Sequence, residues 1–546
     1  NFITPSTNMP IGTASLLGNG LNFAIQHPRP TNELDYTIER LRRDVRRIAF
    51  WTLQHPDGDV GDPDYIPGLY IPTDWEADDA PDDIEEAVSQ FTSALRTHRA
   101  KFMRPRISNL HYGQWKLIDF YKDNDTYMIV EADKNLGGCT IHRDTYIHYA
   151  VRDHLGNAAV YQPLTQRQAR VRHLQLIWSI REWVGKWRRR RCPATKVILG
   201  ELSRGECNFI TRSVKKYPDK LARFRLTLKV HKKPLKTRPI VCCTGTAINN
   251  LSRWLDHHLQ KLKQFIPSYL KDSDALLDLL DELGELPPNA RLFTANAKSM
   301  YTNIDTDHAL EVIEAWLRSL ELPVELSFPL GAIIDAMRIV MRNNIFEWGD
   351  MYFLQLLGTA MGTSAACMWA TIYFAVHETR KLLPDYQPSL LFMKRFIDDI
   401  FLIWIGDDAE YKCFQVDTNN FGILTWDFGG GLSDSVDFLD LTISIDNGKI
   451  STKTFQKDLN LNLYQYIMPT SAHPPWMMPG IIYSLMKKYK RQNTYEHDYN
   501  DMAVKLFKRH VARGWDRATM KRYILDAEER LRRPKPPTTN LAPSVP

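Results

Sequence analysis

LLFMKRFIDDIFLIW, residues 390–404, sets two apolar runs of strand length on either side of the adjacent carboxylates Asp398 and Asp399. Apolar runs with acids between them predict a β-hairpin whose turn presents both carboxyl groups. Neighbouring carboxylates at the edge of a core repel each other and lose hydration, a cost that a cation between them removes. The other reading of Asp-Asp in such a turn is a solvated turn, so the choice rests on what the chain sets around it.

With 546 residues the chain exceeds what one core organises, and three or four subdomains are expected. Its 44% hydrophobic and 25% charged residues are globular proportions, which excludes disorder as the default. Net charge is only +6 and the pI about 8.7, but basic residues cluster at Arg42, Arg43, Arg46 and Arg47, at Arg188 to Arg191, and at Lys487 to Arg491. Such clusters favour a phosphate-backbone partner, with a solvated helix face as the alternative for each. Cys139, Cys192, Cys207, Cys242, Cys243, Cys367 and Cys413 show no CxxC or Cys/His spacing, so reduced thiols are expected, without zinc or disulfides. No signal peptide or long apolar run is present, and a soluble, intracellular chain is expected. The first residue is Asn rather than Met, which leaves the natural start open.

Residues 1–125 read as an accessory region. Asn32 to Trp51 has a helical pattern with arginines on one side, and Asp57 to Glu86 reads as an acidic, Pro- and Gly-rich surface loop. Residues 126–145, TYMIVEADKNLGGCTIHRDT, predict strand, turn and strand, with Gly137 and Gly138 in the turn and Lys134 at its mouth. Gln166 to Arg191 predicts a long helix ending in WRRRR. Leu226 to Val241 alternates apolar and basic residues around Pro234, as a basic hairpin does; Lys229, Lys232, Lys236 and Arg238 would then lie together and grip a triphosphate, or form an exposed charged hairpin. Arg291 to Ala297 reads as a strand, followed by a helix with Ala309, Val312, Ile313, Trp316, Leu317 and Leu320 on one face and Asp305 or Thr306 as N-cap. Gly358 to Glu378 predicts a glycine turn running into a helix whose small residues admit a nucleotide or another backbone, or simply pack tightly on a sheet.

The order of strand-helix, small-residue helix and Asp-Asp hairpin is that of the palm of a right-hand polymerase. The residues that carry a more specific likeness are DKNLGG (133–138), LKVHKKPLKTRPIV (228–241), FTANAKSMYTNID (293–305), GTAMGTSAA (358–366), FIDD (396–399), FLDLTI (438–443) and NLYQYIMPTSAHPP (462–475). In these the chain resembles reverse transcriptases of the Penelope-like element family, relatives of telomerase reverse transcriptases. The likeness runs over residues 126–500, and LLGNGLNFAIQHPRP (16–30) is similar to the N-terminal part of that family. It implies an RNA-directed DNA polymerase of a retroelement, acting by two-metal nucleotidyl transfer on an RNA template, a DNA primer and dNTPs, in the nucleus. By the same resemblance, Asp398 and Asp399 bind two Mg²⁺ ions, for which Mn²⁺ can substitute, with Asn296 and Ala297 completing the metal site. Arg238, Lys229, Lys232, Tyr301, Met361 and Gly362 line the nucleotide pocket, Tyr301 as the steric gate against a 2′-hydroxyl. Phe438, Leu439, Asp440 and Leu441 form the primer grip. Hard cations and converging carboxylates are the chemistry this reaction needs.

Two departures stand out. Five residues before Tyr301, where the family has its first catalytic aspartate, the chain has Asn296, which keeps the shape and removes one of three charges; the expected rate loss is about 10² to 10⁴. Asp305 and Asp307 are better explained as helix caps than as replacements. The substitution is read as inactivating, as decay, or as retention of RNA binding without synthesis. After the expected thumb, RLRRPKPPTTNLAPSVP (530–546) is a Pro-rich tail and no GIY-YIG nuclease pattern is recognisable, GIIY at 480–483 lying inside the thumb match; either the chain is an endonuclease-lacking form or it stops short of that domain.

The expected fold is therefore α+β, a right-hand polymerase with a mostly helical N-terminal extension. The expected partition is 1–125 extension, 126–290 fingers, 291–455 palm, 456–530 thumb and 531–546 tail. The expected activity is reverse transcription, impaired by Asn296. The rival expectation is a non-polymerising protein that binds RNA or an RNA/DNA duplex. No membrane partner is expected, and the sequence leaves the oligomeric state open.

Overall fold

The structure, a computed structural model, describes residues 9–26, 33–54, 80–102, 108–191, 198–457, 466–474 and 476–533. In chain order its strands are β1 (Tyr127–Glu131), β2 (Gly138–His142), β3 (Tyr161–Leu164), β4 (Arg190–Arg191), β5 (Ile198–Leu199), β6 (Ala222–Lys229), β7 (Lys236–Cys242), β8 (Arg291–Ala297), β9 (Ile345–Trp348), β10 (Met351–Gln355), β11 (Leu390–Phe396), β12 (Asp399–Trp404), β13 (Trp426–Asp427), β14 (Ser435–Phe438), β15 (Leu441–Asp446) and β16 (Lys449–Thr454).

The continuous apolar run of β12 is explained by burial on both faces. Ile400, Leu402 and Trp404 enter a helical core built from Asn249–Gln260, Thr306–Ser319, Leu330–Arg342 and Ala366–His377. Phe401 and Ile403 enter a second core, with helix Ser273–Asp281 and strands β14 and β15. A strand covered on both sides cannot alternate polar and apolar residues. The sheet that results, in the order β11-β12-β8-β13, is antiparallel throughout. A separate sheet, β3-β10-β9-β6-β7, shares a third core with β1 and β2. Helices Met477–Gln492, Glu496–Ala512 and Arg517–Arg532 form a fourth. The architecture is mixed helix and sheet, preceded by helices Thr13–Gly18, Glu33–Gln54, Asp82–Phe102 and Tyr112–Asp123.

The N-terminal segment 9–26 works as a strap. Arg513 of the C-terminal helical core donates to the carbonyls of Gly18 (2.7 Å) and Asn19 (3.0 Å). Ala24 and Ala472 are joined by a backbone hydrogen bond of 3.0 Å, and Asn109 donates to both Ala24 and Thr470 carbonyls. One residue before Gly18, Leu17 lies against Gly138 at the start of β2.

The structure corrects several expectations. The helix from Gln166 ends at Trp187: Arg188 is already extended, and the arginines continue into β4. Within the stretch expected to be an acidic loop, residues 57–79 lie outside the described residues, whereas Asp82, Asp83 and Glu85 occupy the first turn of a helix, where its dipole favours acids. Hairpin β9–β10, within residues 291–455, pairs with β6 and β3 of the preceding segment. Two basic clusters are engaged by the chain's own carboxylates: Arg46 pairs with Glu85 (2.6 Å), Arg47 with Asp44 (3.3 Å), and Arg491 with Asp278 and Asp281. Among the described residues no helix is long and apolar enough to cross a membrane.

Candidate active site

The hairpin turn between β11 and β12 carries Asp398 and Asp399, with Ile397 at φ +56°, a conformation that β-branched residues resist. Arg395 holds it. This guanidinium, 1% exposed, donates to the Ile397 carbonyl (2.8 Å), to the Thr371 carbonyl (2.8 Å) and to both oxygens of the fully buried Glu378 (2.7 and 2.8 Å). Ser268 donates a further bond to Glu378 at 2.6 Å. A buried ion pair is tolerated when its remaining donors and acceptors are satisfied in this way.

Strand register brings the third position to the turn. Asn296 on β8 stands directly across from Asp399 on β12, and its amide nitrogen donates to the Asp399 carboxylate. On its other side Asn296 is in register with Asp427 of β13, whose carboxylate accepts from the Gly429 amide at 3.3 Å. Burial, and then the Asp398 charge, push Asp399 above the usual carboxylate range; burial does the same to Asp398, against the opposing Arg238 and Arg395. Among the described residues no three carboxylate, imidazole or thiol groups converge to hold a metal ion.

Two cavities adjoin here. One, of about 750 Å³, is lined by Arg238, Lys229, Lys232, Tyr301, Met361, Ala297, Asp398 and Asp399 among others. The hairpin behind these cations is as the alternation predicted: Thr227 faces Arg238, and Lys229 faces Lys236. Arg238 lies 3.5 Å from the buried Asp133, and burial followed by the nearby Arg238 lowers Lys229. Burial raises the Tyr301 phenol, with Cys367 beside it. The second cavity, of about 670 Å³, is lined by Phe438, Leu439, Asp440, Asp437 and Phe455. Lys134, Asn296, Asp399 and Lys457 line both.

Some predicted residues have other work. Gly362 is not in the cavity wall: at φ +132° a Cβ there would overlap the Val241 carbonyl, while Val241 bonds the Met361 carbonyl (2.8 Å). Gly358 is likewise fitted against the Tyr301 carbonyl, so it is another backbone that the small residues admit. Phe438 and Leu441 are core residues, and Asp440 receives Lys488 (2.5 Å), Gln492 (2.9 Å) and Ser273. Burial opposes ionisation of Asp440, yet these partners hold its carboxyl below the usual range. Lys236 does not line either cavity. Asp305 caps its helix by accepting from Asp307 and His308 amides, and Asp307 pairs with Arg342, so neither acid substitutes for Asn296.

Sequence reasoning missed Arg395, Glu378, Asp427 and Lys457 as parts of the site. A charge at an inward position of an apolar strand was the available signal for Arg395. Lys457 follows a strand that no motif marks.

No protein-family profile and no curated protein matches the chain. Solved structures to which it is similar are telomerases and viral RNA polymerases. The apo telomerase of Candida tropicalis truncated from its C-terminal domain is 13% identical with a TM-score of 0.34, over 45% of this chain and 59% of that one. The telomerase of Candida albicans in complex with a fragment of telomeric RNA is 10% identical with a TM-score of 0.46, over 83% of this chain and 72% of that one. The Sicinivirus 3Dpol RNA-dependent RNA polymerase is 12% identical with a TM-score of 0.37, over 65% and 85%. The chain thus spans less than two thirds of the truncated Candida tropicalis protein.

Proposed function

We propose that the chain is an RNA-directed DNA polymerase of a Penelope-like retroelement, working in the nucleus on an RNA template, a DNA primer and dNTPs, and impaired by Asn296. The observation that carries this reading is the register: three antiparallel strands bring Asp398, Asp399 and residue 296 to the mouth of a cation-lined cavity. Two carboxylates whose ionisation is opposed by burial, that of Asp399 also by Asp398, suit a divalent cation, and the neutral amide of Asn296 lowers the charge offered to a second. Mg²⁺ or Mn²⁺ bound there would lower the barrier by activating the primer hydroxyl and neutralising the departing diphosphate. The chain's own residues do the rest. Arg238 and Lys229 hold the polyphosphate, Tyr301 fixes the sugar, and the Leu439–Asp440 turn supports the primer end, so that a 3′-hydroxyl oxygen bonds the α-phosphorus as its bond to the diphosphate breaks.

One observation favours a second reading, a duplex-binding protein that no longer polymerises: the Asn296 amide hydrogen bonds to Asp399 and so partners the carboxylate without any ion. Primer extension on an RNA template separates the two, comparing the chain with Asn296→Asp in Mg²⁺ and in Mn²⁺. Extension by the Asp variant alone supports the polymerase with a lesion at 296. Tight duplex binding by both, with extension by neither, supports the scaffold.

A further inference from the structure

We propose that Lys134 and Lys457 form a phosphate clamp at the junction of the two cavities, taking a phosphate group of a nucleoside triphosphate or of a nucleic-acid strand. Only the naming of those two sources rests on the polymerase reading.

The two lysines come from distant parts of the chain, the turn between β1 and β2 and the segment after β16, and both line both cavities beside Asp399. Lys134 is held at φ +61°, a backbone conformation that non-glycine residues adopt at a cost and that aims this side chain into the junction. The two lysines share the same stretch of cavity wall, and the charge on Lys457 acts directly on Lys134. Among the described residues no carboxylate lies within ion-pair distance of either one. Both side chains are exposed, at the junction of the two cavities, where like charges repel each other and an anion between them removes that cost, the mirror image of the carboxylate argument at the turn. Burial and then Lys457 bring Lys134 down to about 8, which leaves it mostly protonated at neutral pH. Asn296, which lines both cavities with them, is neutral, so no charge at that position competes for the lysines. A tetrahedral phosphate oxyanion is the group that two converging ammonium donors fit.

The test titrates inorganic tripolyphosphate and a labelled RNA/DNA hybrid into the full chain and into K134Q/K457Q, in EDTA at fixed ionic strength. The expected result is a tenfold or greater loss of affinity for at least one probe, with K134R/K457R retaining it. For the hybrid, losing two phosphate contacts also flattens the dependence of log K on log salt by about 2. Loss for tripolyphosphate alone assigns the nucleotide, for the hybrid alone the strand, and for both a shared clamp. Unchanged affinity for both probes, with the variant's circular dichroism and melting unaltered, overturns the proposal. The polymerase reading fails separately, through absence of extension by Asn296→Asp.

Discussion

At the scale of single residues the turn is a place where stability and chemistry oppose each other. Asp398 and Asp399 have folded-state pKa values above those of the unfolded chain, so the folded state holds more protons and loses stability as pH rises through the carboxylate range. Asp399→Asn should therefore melt higher than the parent at pH 7 without metal, the difference vanishing at pH values where both carboxyls are protonated; differential scanning calorimetry across pH checks this. Asn296→Asp should do the reverse, lowering the melting temperature in EDTA and recovering it with Mg²⁺, because an ion that binds only the folded site stabilises it. Arg395 gives a third expectation. Arg395→Met alone strands a buried Glu378 and should cost about 3–5 kcal/mol, whereas Arg395→Met with Glu378→Met should regain most of that in urea denaturation. Primer extension by an Asn296→Asp chain carrying the double change should stay low, since nothing then holds the Ile397 carbonyl.

At the scale of elements, helices Arg204–Lys216 and Asn249–Gln260 are pinned together by Glu206, which accepts from Trp254 (2.8 Å) and bonds His258 (3.3 Å). Burial pushes this carboxyl up, but the His258, Trp254 and Ser203 bonds outweigh it and bring it to about 2. A depressed carboxylate stabilises above its ordinary value and loses that contribution as pH falls from about 4.5 towards 2, a difference on the order of 3 kcal/mol. Urea midpoints of Glu206→Gln should lack that acid-limb slope. Gly358→Ala, strained at φ +68° and overlapping the Tyr301 carbonyl, should cost about 1–3 kcal/mol and loosen discrimination between dNTPs and rNTPs, read as a ratio of KM values in the Asn296→Asp background. Elements were legible where a local pattern had one physical cause: the acids interrupting 390–404, the alternation around Pro234, the capped amphipathic helix after Asp305. They were illegible where tertiary pairing decided. Nothing in IFEW or MYFLQ says that β9 will lie parallel to β6, and the arginines after Trp187 read as helix until β5 supplied a partner for β4. The site followed the same division. Residues fixed by strand register could be found, whereas Lys457 and Asp427 depend on where loops and a two-residue strand return.

At the scale of the molecule the four cores are joined through polar latches as well as the chain. Lys488 and Gln492 meet Asp440, and Thr494 bonds Thr452, so the C-terminal helices are tied to the β14–β16 sheet beside the second cavity. The strap adds one more latch, with Leu17 against Gly138 at the start of β2 and the next two carbonyls on Arg513, so it links the third core to the fourth across three residues. Cores tied by so short a link should unfold together only while the link is present: deletion of residues 9–26 should separate their transitions in calorimetry, and a single unchanged transition would show that the latches at Asp440 and Thr494 suffice.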